Sequence, residues 1–395
     1  MQGRIPKAGW PMITPYFGEF LLTTIPLELS LNYCSHKCAY CFANLNQPNR
    51  KAAAQSIVNQ LAEIDTRKTL ASKLLALRYP ILISNKVDPF AQSNYRLTLQ
   101  ILELLAALKI PVAFQTKGGK GIDEAMDLIG PSCFYWSLTH SSEDTAARIE
   151  PGAPSMTERF RQIAKVRARG HHVWAGVNPM NRAWIPDVKE FAQRLADNGI
   201  RHVWSEMLHL SRDQVAAMND LERAAITPEV IGEAMQRNCA PESFTHMMDF
   251  IDACRANGIS FACKHWPEAS TVMDAYAALY PKRFPTLTEF TNLACRTMKP
   301  GDEISFADFR AFCDPMLPDI HTNECFHYVA SCSRVLAKDI SRDSVLDYAA
   351  VIKIIWTRPE HRMIPSRSLA FKKTDKVDSD GLPIRYYTGR KLERR

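Results

Sequence analysis

Three cysteines stand close together near the start of the chain, in the string Asn32-Tyr-Cys-Ser-His-Lys-Cys-Ala-Tyr-Cys-Phe42. Cys34, Cys38 and Cys41 thus have the spacing C-x3-C-x2-C. Soft thiolates of this kind select iron–sulfur clusters or zinc. Three on one short loop can hold a cluster through three of its irons, which leaves the fourth iron open to a substrate or cofactor. Structural zinc needs four closed ligands, commonly as two pairs. No second C-x2-C occurs in the chain, although His36 could complete a cramped site. The remaining alternative is plain packing, because free cysteine is a common core residue.

A loop that does this chemistry must be held by regular elements. It follows directly on Ile25-Pro-Leu-Glu-Leu-Ser-Leu31, which reads as a buried strand. Residues 51–64 then read as a helix, with Ile57, Leu61 and Ile64 at helical spacing. Further strands are expected at 80–85, 110–115, 133–138, 171–177 and 200–206, with helices at 95–108, 122–129, 157–169 and 185–198 between them. Gly170 suits the end of the helix at 157–169. Six β/α units between about residues 25 and 206 predict a parallel barrel or partial barrel. Functional residues in that architecture sit at the C-terminal ends of the strands, the position the cysteine loop takes after the first.

Residues 208–242 read as a helical insertion, and 243–264 as one more helix–strand unit. From about residue 270 the alternation is lost. Phe284 to Trp356 reads as a small helical domain, with Ser305 capping a helix from Phe306. Residues 380–389 are expected to form a hairpin. The chain thus divides into an N-terminal extension (1–24), a barrel (25–268), a mostly helical C-terminal domain (269–357) and a basic tail (358–395).

Composition narrows the setting. The 395 residues are 46% hydrophobic and 23% charged, ordinary for a soluble globular protein. No run approaches a membrane span, and no apolar leader opens the chain. Eleven irregularly placed cysteines without an export signal point to a reducing cytoplasm. Of the net charge of +7, six units fall between Arg358 and Arg395, where eleven Lys or Arg face five Asp or Glu. Such a tail is either an electrostatic footprint for nucleic acid or a solvated surface segment.

The triplet, with aromatic Tyr40 before its last cysteine, resembles that of the radical S-adenosylmethionine (SAM) enzymes. Later strings are similar to the spore photoproduct lyase-like (DNA repair photolyase-like) branch: Leu82-Ile-Ser-Asn-Lys-Val-Asp-Pro-Phe90, Gln115-Thr-Lys-Gly-Gly119, Ser137-Leu-Thr-His-Ser141, Arg148-Ile-Glu-Pro-Gly-Ala-Pro-Ser155 with Arg159, and Gly176-Val-Asn-Pro-Met-Asn-Arg182. The likeness covers roughly residues 20 to 210. It implies a TIM-like partial (β/α)6 barrel, with a [4Fe-4S] cluster on Cys34, Cys38 and Cys41 and SAM at the open iron. The resemblance places Ser84, Asn85 and Asp88 near SAM's amino group, Thr116 and Lys117 near its carboxylate, and Ser137 and Thr139 near ribose or carboxylate. Asn178 would reach the adenosine; Glu150 would either contact SAM or brace the site, and Arg159 would brace it. The implied chemistry is one-electron cleavage of SAM and hydrogen abstraction from substrate, with an electron donor such as flavodoxin or ferredoxin. One departure counts: residues 83–95 lack the cysteine that spore photoproduct lyase places after its second strand, so repair of that lesion is not implied.

Other candidates are weaker. Cys295, Cys313, Cys325 and Cys332 lie within 38 residues at irregular spacing and read as packing residues or a second metal site. Glu206, His209 and His265 lie near strand ends, and Tyr386 and Tyr387 among basic residues could stack on bases. The expected function is radical SAM chemistry on a nucleic acid or nucleotide. The alternatives are a small metabolite or peptide as substrate, or a non-catalytic nucleic-acid-binding protein with a structural zinc or iron–sulfur site.

Overall fold

The computed structural model describes residues 12–15, 25–43, 53–236, 240–262, 271–283, 287–314 and 371–389, apart from positions 30, 32, 84 and 85, with short pieces at 325–327, 345–347, 353 and 356–357. Its centre is an eight-stranded sheet in sequence order: β1 (Ile13–Pro15), β2 (Leu27–Leu29), β3 (Ile81–Ile83), β4 (Val112–Thr116), β5 (Cys133–Ser137), β6 (His172–Met180), β7 (His202–Met207) and β8 (Ser260–Ala262). β1 runs antiparallel to β2, and every later pairing is parallel. Parallel strands are covered on both faces and so read as continuous apolar runs; all residues of β2 and β3 are accordingly buried.

Helices α1 (Ala54–Ala62), α2 (Leu70–Ala76), α3 (Tyr95–Ala107), α4 (Ile122–Leu128), α5 (Glu143–Ile149), α6 (Met156–Ala168) and α7 (Val188–Asp197) make the crossovers. In α7, Val188, Phe191, Ala192 and Leu195 bury one face, and Asp187 accepts from the first free amides, Lys189 and Glu190. The expected units are present, with β8 as a seventh parallel strand. The short helices α2 and α5 were not legible in the sequence.

After β7 come α8 (Arg212–Ala217), α9 (Asp220–Ile226) and α10 (Pro228–Ala234), then α11 (Pro241–Ala256). The insertion packs Leu208, Leu210, Met218, Ile226, Val230 and Ala234 onto Ala39, Ile149 and Trp184, forming an apolar cluster separate from the main core. At the opposite end of the sheet lies α12 (Thr271–Leu279). The Tyr280 hydroxyl donates to Val112 O (2.7 Å) and accepts from Cys133 N (2.8 Å), joining the entry ends of β4 and β5.

The rest of the described chain holds α13 (Leu287–Thr297), β9 (Glu303–Ile304), α14 (Phe306–Cys313), a small pair β10 (Cys325–His327) and β11 (Val345–Asp347), and the hairpin β12 (Phe371–Val377) and β13 (Pro383–Tyr387). Ser305 caps α14 as expected. β13 pairs with β9, so the basic C-terminal stretch joins the residues near 303 in one sheet. That sheet packs on aromatic rings, with Phe290 stacked on Phe371 and Phe309 on Trp356. Among the described residues no helix is long and apolar enough to cross a membrane.

Candidate active site

The cysteine loop leaves the C-terminal end of β2 and is pinned between its cysteines. Ala39 N donates to Ile149 O at 2.9 Å, and Gly152 N to His36 O at 3.0 Å. A Cβ on Gly152 would lie 2.1 Å from Ser35 O, so only glycine permits this approach. The His36 ring reaches back to Gly152 O through Nδ1 (2.9 Å) and to Asp88 Oδ2 through Nε2 (3.2 Å). Ser35 and Ser93 exchange hydrogen bonds at 3.1 and 3.2 Å, and Ser93 and Asn94 both donate to Tyr33 O.

Two buried carboxylates organise what lies around the loop. Asp88 accepts from Phe90 N (2.9 Å), Thr116 Oγ1 (2.8 Å) and Lys117 N (2.5 Å). Burial opposes its charge, but His36 and the two backbone amides outweigh burial and hold the carboxyl below its ordinary range. Glu150 accepts from Arg159 Nη2 (2.5 Å), Thr139 Oγ1 (2.9 Å) and the Tyr40 hydroxyl, and pairs with Lys117 Nζ (2.9 Å). Its burial is likewise outweighed, first by Arg159 and then by Lys117, and its carboxyl falls well below the usual range. Arg159 also donates to Pro154 O and Ser137 O. It thus ties Glu150 to the end of β5 and to the turn before α6.

None of Cys34, Cys38 and Cys41 is in a disulfide; Cys38 is buried and the other two are partly exposed. Burial, then Asp88, pushes Cys34 up to about 11, and burial pushes Cys38 well above its ordinary value, with Lys117 pulling the other way. Cys34 and Cys38 each also feel Cys41, so the three sulfurs share one electrostatic neighbourhood. Among the described residues no group of three or more His, Cys, Asp or Glu side chains is gathered about a single-ion position. A cluster ligated by one cysteine per iron makes no such demand, and three thiols on a pinned loop at the sheet's C-terminal edge fit it. Iron would take the sulfurs as thiolates despite their burial.

The polar residues expected at SAM are distributed unevenly. Ser84 and Asn85 lie outside the described residues. Asp88, Thr116, Thr139 and Glu150 are buried and bonded to one another's loops. Lys117 Nζ has three oxygens within 3 Å: Tyr40 Oη (2.9 Å), Ser137 Oγ (2.7 Å) and Glu150 Oε1 (2.9 Å). An ammonium carries three donors, so these partners account for all of them. Asn178 is partly exposed beside the Tyr135 hydroxyl. The glycines after Lys117 serve the protein: a Cβ on Gly119 would lie 2.1 Å from Phe90 O, and Gln162 bonds Gly119 at both N and O (3.1 Å each). Cys313 is buried and Cys295 accepts from Tyr387 Oη at 3.3 Å, while the side chains of Cys325, Cys332 and His265 fall outside the described residues.

Sequence reasoning missed the bracing role of His36 and Gln162 and the tight packing of Gly152. A histidine two residues from a cysteine offers no signal of which distant carboxylate it will meet. A groove of about 740 Å³ lies elsewhere, lined by Arg182, Glu229, Glu233, Glu242, His246 and Asp249, none of which belongs to the cysteine network.

Fold and site together define a parallel β/α partial barrel with a three-cysteine loop at the C-terminal edge of its first parallel strand. No protein-family model matches the sequence. The chain is 25% identical over 223 residues to the radical SAM Nalpha-GlyT isomerase of Pseudomonas phage M6, across 54% of this chain and 45% of that protein; the match therefore spans less than half of the relative's length. Among solved structures, spore photoproduct lyase complexed with dinucleoside spore photoproduct overlaps 61% of this chain and 78% of its own, at a TM-score of 0.42 and 16% identity. SuiB of Streptococcus suis overlaps 60% and 48%, at 0.39 and 12%. The sequence likeness is thus to a radical SAM enzyme.

Proposed function

We propose that the chain cleaves SAM reductively at a [4Fe-4S] cluster on Cys34, Cys38 and Cys41, and that its substrate is a nucleic acid or nucleotide. The observation that carries the first part is the loop itself, which bears the three thiols and is fixed at His36, Ala39 and Tyr40. When bound, cluster and SAM supply a carbon radical able to take hydrogen from an unreactive C–H bond. The chain's own residues hold and orient these groups and exclude water. Tyr40, Lys117, Glu150 and Arg159 fix the loop from beneath, and the α8–α10 insertion covers its flank. Asn178, with Ser84 and Asn85, is proposed to contact SAM, and flavodoxin or ferredoxin to deliver the electron.

The substrate class rests on the C-terminal hairpin. Lys372 and Lys373 are exposed on β12, and Lys372 stands opposite Tyr386 on the paired strand. Cations beside an aromatic ring suit backbone phosphates and a stacked base.

Anaerobic iron reconstitution followed by assay for 5′-deoxyadenosine under reductant tests the chemistry; bound zinc and no cleavage would sink it. For the substrate, salt-dependent binding of DNA and RNA is compared between wild type and the double charge reversal Lys372→Glu, Lys373→Glu. The reversal is used because deleting the tail would remove β12 and β13 from the aromatic core. Weaker binding with a shallower salt slope supports a polymer, whereas equal and negligible binding by both leaves a small metabolite or peptide.

A further inference from the structure

The charges beneath the cysteine loop do not cancel. Glu150 is one carboxylate, wholly buried, between two cations, Arg159 at 2.5 Å and Lys117 at 2.9 Å. The third basic neighbour, His140, stands 3.8 Å away and is neutral near pH 7, because burial draws its pKa down to about 4. The Tyr40 hydroxyl donates to Glu150 and accepts from Lys117. Asp88, a second buried carboxylate, belongs to a separate set with His36, Thr116 and the amides of Phe90 and Lys117. Among these described residues, Glu150 and its two cations leave one positive charge.

Geometry shows which cation carries it toward the cysteines. Arg159 is spent below the site, on Glu150, Pro154 O and Ser137 O. Lys117 instead donates to the hydroxyl of Tyr40, the residue next to Cys41, and its side chain is only 13% exposed. Its ammonium also lies over the Tyr40 ring, 5.5 Å from the centroid. Its three donors have partners, so the charge is fixed in place. In such an interior a unit charge acts far more strongly than in water.

We propose that Lys117 sets the reduction potential of the cluster held by Cys34, Cys38 and Cys41, favouring its reduced form. The inference rests on the cluster reading given under Proposed function. A cluster with its thiolates is an anion and becomes more negative when it takes one electron from a small electron-transfer protein. A fixed cation offsets part of that added charge without any proton moving. Lys117 is on this account a tuning residue, which separates its role from a simple contact to SAM.

The test is a redox titration of full-length, anaerobically reconstituted protein without SAM, followed by the EPR signal of the reduced cluster. Lys117→Met should lower the reduced-to-oxidised ratio at a given potential at least tenfold, a shift of about 59 mV to more negative values for one electron. Lys117→Arg, which keeps the charge, should stay near wild type. Glu150→Gln removes a negative charge and should move the potential the other way. If Lys117→Met takes up little iron, Lys117→Gln replaces it. An unchanged midpoint at full iron content overturns the proposal, as does a shift of the Lys117 and Glu150 variants in the same direction, which would mark a merely structural role. A wild-type protein that takes zinc and no iron–sulfur cluster instead removes the cluster reading itself.

Discussion

His36 Nε2 stands 3.2 Å from Asp88 Oδ2, and that contact ties the cysteine loop to the segment after β3. The same carboxylate holds Thr116 and Lys117 at the end of β4. One side chain therefore sets the relative position of three strand ends. The loop that bears the thiols is only as well placed as Asp88 is.

Asp88→Asn should accordingly destabilise the protein by roughly 2–4 kcal/mol, since an amide cannot replace a charged acceptor of several hydrogen bonds in a buried site. Iron uptake should fall with it, because the loop loses its tie through His36. Urea unfolding of the iron-free protein and iron content after reconstitution measure the two effects. Wild-type values for both would show that the Asp88 contacts carry no weight.

Tyr280→Phe probes the far end of the sheet. Removing the hydroxyl leaves Cys133 N and Val112 O without their partner in a buried position. The expected loss is about 1–3 kcal/mol. The potential of the cluster should not move, because the hydroxyl sits at the entry ends of β4 and β5, away from the loop. A stability equal to wild type in urea would count against the bridging role.

His140 predicts a pH dependence with a definite sign. Burial lowers its pKa to about 4 in the folded protein, against an ordinary 6.5. Between these values the unfolded chain binds the proton and the folded one does not, so stability falls as the pH drops from 6.5 toward 4. The full contribution is on the order of 3 kcal/mol. His140→Gln should flatten that limb of the stability curve while leaving the limb below pH 4 to the carboxylates Glu150 and Asp88. Parallel curves for wild type and variant, from urea melts at pH 7 and pH 4.5, would contradict this assignment.

The β/α alternation was legible because buried parallel strands and one-sided helices leave short apolar runs and helical spacing in the chain. Ile81–Ile83 and the apolar face of α7 are examples. Helix α5 was not legible: at seven residues, with Ala146 and Ile149 its buried positions, it offers too little periodicity. A hairpin was expected within 380–389, but the one found pairs β12 with β13, so only β13 lies in that stretch; the pairing with β9 was not legible, since a two-residue strand has no pattern to read.

By itself the sequence determined the cysteine triplet, its place directly after a buried strand, and the order of polar strings after later strands. These are local matters of spacing and apolar runs. Only the tertiary structure decided how the polar residues divide their work. Lys117 was expected at a ligand carboxylate, and the fold surrounds its ammonium with Tyr40, Ser137 and Glu150. Those partners lie 77, 20 and 33 positions away in the chain. Hydrogen bonds and buried charges reach only a few ångströms, so what satisfies such a group is settled by which distant residues the sheet brings beside it.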